Sequence, residues 1–145
     1  MRQKFKDCLN RGKIILFPQG KNLALKELNS ARSDLEDAQF GLAHGRHKWS
    51  TIQAYYSMYH SARALVFSRE YRERSHFCLY IALQELFVDS GLLDANLAEA
   101  FHSSMRLRES ADYRDSYSLE GANLVIGTAE QFLRRAKEIL ALQIS

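Results

Sequence analysis

The sequence predicts an all-α protein, an antiparallel up-and-down bundle of four to six helices. Long stretches repeat their apolar residues with the 3.6-residue period of a helix that buries one face. No stretch shows the polar and apolar alternation that is typical of a strand between turns. The 145 residues are 46% hydrophobic, and no apolar run approaches the about 18 residues of a membrane helix. We therefore expect one soluble domain with a single core and no membrane partner.

The amino-terminal part, residues 1–20, is expected to be an extension whose first ten residues or so can form a short helix. It breaks around Pro18, and its apolar run is too short for a signal peptide, so the expected location is the cytoplasm. Cys8 and Cys78 form no spacing motif. In a chain without an export signal, we expect them to be free thiols rather than a disulfide.

The helical bundle is predicted to span residues 21–145. Its first helix begins at Lys21 and ends near Gly45, with an apolar stripe that runs from Leu28 to Leu42. A short connection to the next helix predicts an αα-hairpin. The tip of this hairpin is basic and carries His44, Arg46, His47 and Lys48. A phosphate contact or a metal site there competes with a simpler interpretation, because such residues suit a helix C-terminus and loop tips are polar.

The rest of the bundle is organised around a central helix predicted over residues 50–71. Ser50 and Gln53 match a capping box, which places the helix start at about Ser50. Its apolar stripe consists of Ile52, Tyr55, Met58, Tyr59, Ala62, Leu65 and Val66. Three side chains that can donate hydrogen bonds follow the edge of the stripe at helical spacing: Tyr56, His60 and Arg63. This edge is the first candidate for chemistry.

Three further helical segments complete the predicted bundle. Apolar periodicity predicts a helix over Ser75–Asp89 and a shorter one over Asp94–Leu107. The polar segment Arg108–Ser118 lacks a sustained apolar period and is expected to be a loop. A long apolar stripe then predicts the closing helix, Leu119–Leu142.

The common motifs of enzyme active sites are absent from the sequence. It contains no phosphate-binding glycine loop, no G-x-S-x-G and no paired C-x-x-C. The single E-x-x-H, from Glu73 to His76, lacks the second copy and the further glutamates of a di-iron bundle, so no metal and no cofactor are expected. Cys78 lies in an apolar helix, which favours a core position over a nucleophile.

Three stretches, in this order, resemble the HEPN family of small helical domains. They are QAYYSMYHSARALV, RSHFCL, and R-x-x-A-D-Y, which is formed by Arg108, Ala111, Asp112 and Tyr113. The resemblance extends from Leu28 to Leu142 and leaves residues 1–20 outside. It implies an antiparallel bundle that often forms a homodimer and is encoded beside a minimal nucleotidyltransferase. Such pairs act as toxin and antitoxin, and many members are metal-independent ribonucleases.

The ribonuclease members share an Arg-x(4–6)-His motif before the last helix. In that pair, histidine can serve as acid or base and arginine can hold the scissile phosphate. This chain departs from the motif, because its last histidine, His102, precedes Arg106 and Arg108, and the fifth residue after Arg108 is Tyr113. A rearranged catalytic pair would draw on three residues, His60, His76 and Arg108.

We expect a phosphate or nucleotide pocket between the central helix and the segment before the closing helix, because arginine suits phosphate and tyrosine can stack on a base. Its expected binding residues are Tyr56, His60, Arg63, Arg108, Asp112 and Tyr113, with His76 nearby. The resemblance to modified toxins suggests Tyr113 and Tyr117 as nucleotidyl acceptors. The structural alternative pairs Asp112 with Arg63 or Arg108 and needs no ligand.

Three functions follow as hypotheses. The first is a HEPN module that dimerises, binds a nucleotide or an RNA phosphate, and works with a minimal nucleotidyltransferase in a toxin–antitoxin-like pair. The second is a metal-independent ribonuclease with a non-standard acid–base pair. The third is a helical interaction module without a ligand.

Overall fold

The computed structural model describes residues 1–114 and 117–144, and the side chains of 1–109 and 117–143. The regular elements of the described residues are all helical except for two strands of three residues each, so the predicted all-α class is confirmed. In chain order, the elements are α1 (Gln3–Asn10), β1 (Ile14–Leu16), α2 (Gly20–Ala43), α3 (His47–Ser68), β2 (Tyr71–Glu73), α4 (His76–Leu83), a π-helical turn (Gln84–Val88), α5 (Ala95–Arg114) and α6 (Leu119–Ile144).

The core lies between three long helices. Helices α2 and α3 form an antiparallel hairpin, and α6 packs against both of them. Small residues let the helix backbones approach closely: a Cβ added to Gly20 would lie 2.4 Å from the backbone oxygen of Phe67. Around this contact, α3 buries apolar side chains on most of its circumference, including Tyr55, Met58 and Leu65. The predicted central helix is therefore the central element of the bundle.

The predicted ends of the central helix are wrong. The helix begins at His47, and Ser50 is fully buried inside it, with its N–H donating to the Arg46 carbonyl at 3.0 Å. Ser50 therefore packs against α2 and does not cap the helix. At the other end, Glu70 adopts a positive φ of 64°, which turns the chain out of the helix and into β2.

The two strands are a feature that the sequence analysis did not predict. Strands β1 and β2 pair antiparallel, with Ile14 opposite Glu73 and Leu16 opposite Tyr71. A strand of three residues is too short to show an alternating pattern, and its pairing depends on a partner far away in the sequence. The pair attaches the amino-terminal segment to the beginning of α4.

The amino-terminal segment also packs through α1. Phe5 and Ile14 are buried in the same core as the bundle helices, and α1 lies against α4. Cys8 of α1 and Cys78 of α4 form a disulfide, so the expectation of free thiols is wrong. The packing of α1 on α4 brings two cysteines that are distant in sequence together, which spacing alone does not show.

The remaining helices follow the predicted order with one large difference. Ser75 caps α4 by accepting a hydrogen bond from the Cys78 N–H at 3.0 Å, and the closing helix begins at Leu119 as predicted. Helix α5, however, continues to Arg114, so a loop over the first part of Arg108–Ser118 is wrong. This extension places Arg108 on a helix that crosses α3. In the described residues, no helix is both long and apolar enough to cross a membrane.

Candidate functional site

His76 is held in place by aromatic residues of the central helix. The Tyr55 hydroxyl oxygen lies 2.6 Å from Nδ1 of His76, and the Tyr55 ring is fully buried. The ring of Tyr59 stacks on the imidazole with 4.5 Å between the ring centres. His76 itself is half-buried at the first position of α4. The imidazole therefore has a fixed orientation, with one nitrogen bonded to a buried phenol.

Arg108 reaches the same cluster from α5. Its guanidinium carbon lies 5.3 Å from the centre of the Tyr55 ring and 5.7 Å from that of Tyr56. Its Nη1 donates a long hydrogen bond of 3.4 Å to the Tyr56 hydroxyl. Burial lowers the pKa of His76, and the positive charge of Arg108 lowers it further. The structure thus brings together Tyr56, His76 and Arg108, three of the residues that the sequence suggested.

Arg63 is also close enough to lower the pKa of His76, but carboxylates hold it. Its Nε is 3.2 Å from Oε1 of Glu73, and its Nη1 is 3.5 Å from Oε1 of Glu27. Glu73 is buried and also accepts a 2.7 Å hydrogen bond from the Tyr59 hydroxyl. The sequence suggested Asp112 as a structural partner of Arg63 or Arg108, and the side chain of Asp112 lies outside the described residues. In the described residues, Glu73 and Glu27 pair with Arg63.

His60 does not face His76. Its Nδ1 lies 2.6 Å from Oε2 of Glu27, and its Nε2 lies 3.6 Å from Oδ2 of Asp34. Burial raises the pKa of Asp34, and the His60 charge acts in the opposite direction. His60 therefore belongs to an ion network between α3 and α2.

The two tyrosines suggested as nucleotidyl acceptors differ in what the structure describes. The side chain of Tyr113 lies outside the described residues, as does that of Asp112. Tyr117 is half-buried just before α6, and Nζ of Lys48 lies 5.9 Å from the centre of its ring. Tyr117 is thus near the tip of the α2–α3 hairpin.

A cleft opens beside His76. It is lined by the two strands, by the start of α4 and by residues of α3. Its volume is about 650 Å³, and its lining includes Tyr59, Arg63, Arg72, Glu73, Arg74 and His76. Because Arg63 is paired with carboxylates, Arg72 and Arg74 are the residues that give the lining a positive balance, which suits an anion. The sequence analysis missed Arg72 and Arg74 as site residues. Arg72 lies in β2 and Arg74 directly follows the strand; their spacing of two was the available signal, because alternate residues of an extended segment share a face.

Metal binding has no support in the described part of the chain, where no group of three or more His, Cys, Asp or Glu side chains is placed to hold an ion. The chemistry of this site is that of an oriented imidazole, a guanidinium on aromatic rings, and a basic cleft.

The fold and the site together define a small helical-bundle protein with an Arg–Tyr–His cluster where three helices meet. The chain belongs to the HEPN domain family, whose model matches residues 25–143, as the sequence resemblance predicted. The match leaves α1 and β1 outside the family domain.

Two relatives from Methanocaldococcus jannaschii are named as candidate toxins. One, MJ0605, is 28% identical over 111 residues, which cover 76% of this chain and 83% of the relative. The other, MJ0142, is 23% identical over 117 residues, which cover 79% of this chain and 80% of the relative. A solved structure, that of TT1696 from Thermus thermophilus, superimposes with a TM-score of 0.68 at 21% identity. That likeness covers 81% of this chain and 98% of the other, and it shows the same fold.

Proposed function

We propose that this HEPN protein binds the phosphate of a nucleotide or an RNA beside His76, and that it works with a nucleotidyltransferase partner in a toxin–antitoxin-like pair. The naming of both relatives as candidate toxins supports the second part. The observation that carries the first part is the placement of Arg108 over two tyrosine rings, next to an oriented histidine.

The chemistry of the cluster suits a phosphate that is attached to a base. A guanidinium offers several N–H donors in a fixed plane and matches the oxygens of a phosphate. Arg72 and Arg74 line the adjoining cleft and extend the positive surface. The rings of Tyr56 and Tyr59 are half-buried, so they are the faces in this region on which a base can stack.

Binding is tested with two arginines of the same helix. Arg108 is half-buried on Tyr55 and Tyr56, whereas Arg106 is exposed. We expect Arg108→Ala to weaken the binding of ATP or labelled tRNA by about 10-fold or more, the value of one charged hydrogen bond. Arg106→Ala, measured in the same calorimetric or filter-binding assay, should change it much less. Equal effects of the two substitutions would mean that binding reflects general charge only.

The proposed partner is tested by covalent modification. The protein is incubated with ATP and the nucleotidyltransferase encoded beside it, and peptides that contain Tyr113 and Tyr117 are analysed by mass spectrometry. An added nucleotidyl mass on either tyrosine, lost in the corresponding Tyr→Phe variant, supports the pairing. If neither tyrosine gains mass, Tyr113 and Tyr117 are not nucleotidyl acceptors.

A second candidate function, RNA cleavage without a metal, is favoured by one observation. Burial and Arg108 lower the pKa of His76, so its imidazole is neutral near pH 7. In the tautomer with the proton on Nδ1, the N–H donates a hydrogen bond to the Tyr55 oxygen. Nε2 is then unprotonated and can accept a proton from a ribose 2′-hydroxyl. The 2′-oxygen would then bond to phosphorus, giving a 2′,3′-cyclic phosphate, while the bond from phosphorus to the 5′-oxygen breaks and the 5′-oxygen takes a proton from water. Arg108 would stabilise the charge that develops on the phosphate.

Cleavage is tested with labelled tRNA in EDTA. If the protein is a ribonuclease, His76→Ala and Arg108→Ala should each abolish cleavage. His102→Ala should leave it unchanged, since the His102 ring stacks on Tyr80 and not on Tyr55 or Tyr59. Intact RNA at high protein concentration would rule out cleavage and leave binding as the function.

The third function, a ligand-free interaction module, draws on the ion network at the α3 edge. Glu27 of α2 pairs with His60, and Glu73 of β2 pairs with Arg63. In that case, titration with ATP or RNA should leave the NMR signals of Tyr56 and His76 unchanged.

A further inference from the structure

A second aromatic and basic surface lies at the tip of the α2–α3 hairpin, where neither the family match nor the names of the relatives assign a role. We call it the tip cleft. It has a volume of about 550 Å³, and its lining includes Asp37, Phe40, His44, Arg46, Trp49 and Gln53.

Two large aromatic rings in the tip cleft are exposed to solvent. Phe40 on α2 is 66% exposed, and Trp49 on α3 is 56% exposed. Phe40 lies near the end of α2 and Trp49 near the start of α3, so both rings lie at the tip of the hairpin. Single exposed apolar residues are ordinary, but two aromatic rings lining one cleft are typical of a binding surface.

Each exposed ring lies beside a basic side chain. The His44 imidazole stacks on Phe40 with 4.2 Å between the ring centres, and Nζ of Lys48 lies 5.6 Å from the centre of the Trp49 ring. Arg46 lines the cleft between them, and Asp37 is the carboxylate in the lining. Aromatic faces beside lysine, arginine and histidine side chains match a chain of bases joined by phosphates, and match an apolar peptide segment less well.

The backbone under the tip cleft is tightly constrained. Gly45 adopts a left-handed φ of 74°, and the Arg46 N–H donates to the Gly41 carbonyl at 2.9 Å. A Cβ on Gly41 would lie 2.8 Å from the Ser50 hydroxyl, so α2 and α3 are in contact there. A cleft that is already ordered loses little conformational entropy when a ligand binds.

The tip cleft and the Arg108 site lie on one face of α3. Trp49, Gln53 and Tyr56 follow one another at intervals of four and three residues, and Tyr56 contacts Arg108. At 1.5 Å per residue, Trp49 and Tyr56 are separated by about 10 Å along the helix axis. A strand of a few nucleotides spans that distance.

We propose that the tip cleft is a stacking site for an unpaired base of single-stranded nucleic acid, whose backbone continues along α3 towards Arg108. The second part rests on the proposed function. Stacking at the tip rests only on the exposed rings and their cations.

Trp49 is the only tryptophan of the chain, so its fluorescence reports on the tip cleft alone. We expect a single-stranded RNA of about ten nucleotides to quench this fluorescence, and a duplex of the same sequence to quench it far less. Phe40→Ala should weaken the binding of the single strand by about 5-fold to 150-fold, since each stacked base contributes about 1–3 kcal/mol. Phe77→Ala removes a Phe that is 43% exposed on α4 and should have little effect.

Several results would overturn the inference. One is equal quenching by the single strand and the duplex, and another is an equal loss of affinity in Phe40→Ala and Phe77→Ala. Sedimentation of the free protein provides a third: if Phe40→Ala lowers its molecular mass, the rings form an interface between two copies of the chain.

The Arg108→Ala variant separates this inference from the proposed function. If the tip cleft stacks a base, the RNA still quenches Trp49 in this variant, at a higher RNA concentration. If the wild type binds RNA in an Arg108-dependent manner without quenching, the proposed function stands and the tip inference fails.

Discussion

The disulfide between Cys8 and Cys78 yields a prediction whose size follows from the topology. It joins α1, which lies outside the matched HEPN domain, to α4, and the two cysteines are 70 residues apart in sequence. A cross-link stabilises a protein mainly by lowering the entropy of the unfolded chain, and the effect grows with the length of the closed loop.

The expected magnitude can be calculated for this loop. The loop-closure entropy, in cal/mol/K, is about 2.1 + 1.5R ln n, where n is the number of residues in the closed loop. With n near 70, the cross-link removes about 15 cal/mol/K from the unfolded chain. At 25 °C this amounts to about 4 kcal/mol of unfolding free energy, an upper value because unfolded chains retain some structure. A protein of this size shifts its Tm by roughly 3 °C per kcal/mol, so reduction should lower the Tm by about 10 °C.

The assay is urea unfolding of the wild type with and without a thiol reductant, followed by circular dichroism. The control is the double variant Cys8→Ala/Cys78→Ala. Alanine is chosen because both cysteine side chains are buried and an apolar residue suits both positions. The unfolding of the double variant should resemble that of the reduced wild type and should not respond to the reductant. If two thiols titrate in the untreated, denatured protein, or if the reductant leaves the midpoint unchanged, the reasoning is refuted.

Two further predictions concern the site and the core. Burial and Arg108 lower the pKa of His76, so NMR titration should place this pKa below the ordinary value of about 6.5. Arg108→Ala should raise the pKa of His76, and an unchanged value would show that Arg108 does not act on the imidazole. Because the folded pKa is the lower one, the neutral imidazole stabilises the fold above pH 6.5, and this stability is lost as the pH falls towards the folded pKa. In the core, Gly20→Ala should destabilise the protein by about 1–3 kcal/mol in urea unfolding, because its Cβ would press on the backbone of Phe67. Gly127→Ala, a helical control with open space, should stabilise by up to about 1 kcal/mol, and a similar loss in both variants would contradict the packing argument.

Apolar periodicity was sufficient to predict the bundle. It identified the long helices in the right order, and it placed Tyr55, Met58 and Leu65 on the buried face of α3. This signal is strong because a helix that packs on two neighbours must repeat its apolar residues every three or four positions. The edge residues Tyr56 and Arg63 follow from the same period.

The features that the sequence did not reveal depend on contacts between distant segments. Strand β1 exists through its pairing with β2, and Cys8 meets Cys78 only because α1 packs on α4. The capping-box prediction at Ser50 failed for a related reason, since that side chain is buried against Gly41 of the neighbouring helix. Local sequence describes a helix end well only when the end faces water.

The positions of the carboxylates decide which arginine can serve a phosphate. Arg63 and Glu73 have side chains that are 15% and 4% exposed, and they lie 3.2 Å apart. Breaking such a buried pair costs roughly 3–5 kcal/mol, whereas a new contact of arginine with a phosphate contributes about 1.5–3 kcal/mol. We therefore expect a phosphate to leave the Arg63–Glu73 pair in place. We expect an anion beside His76 to bind Arg108, or the cleft residues Arg72 and Arg74.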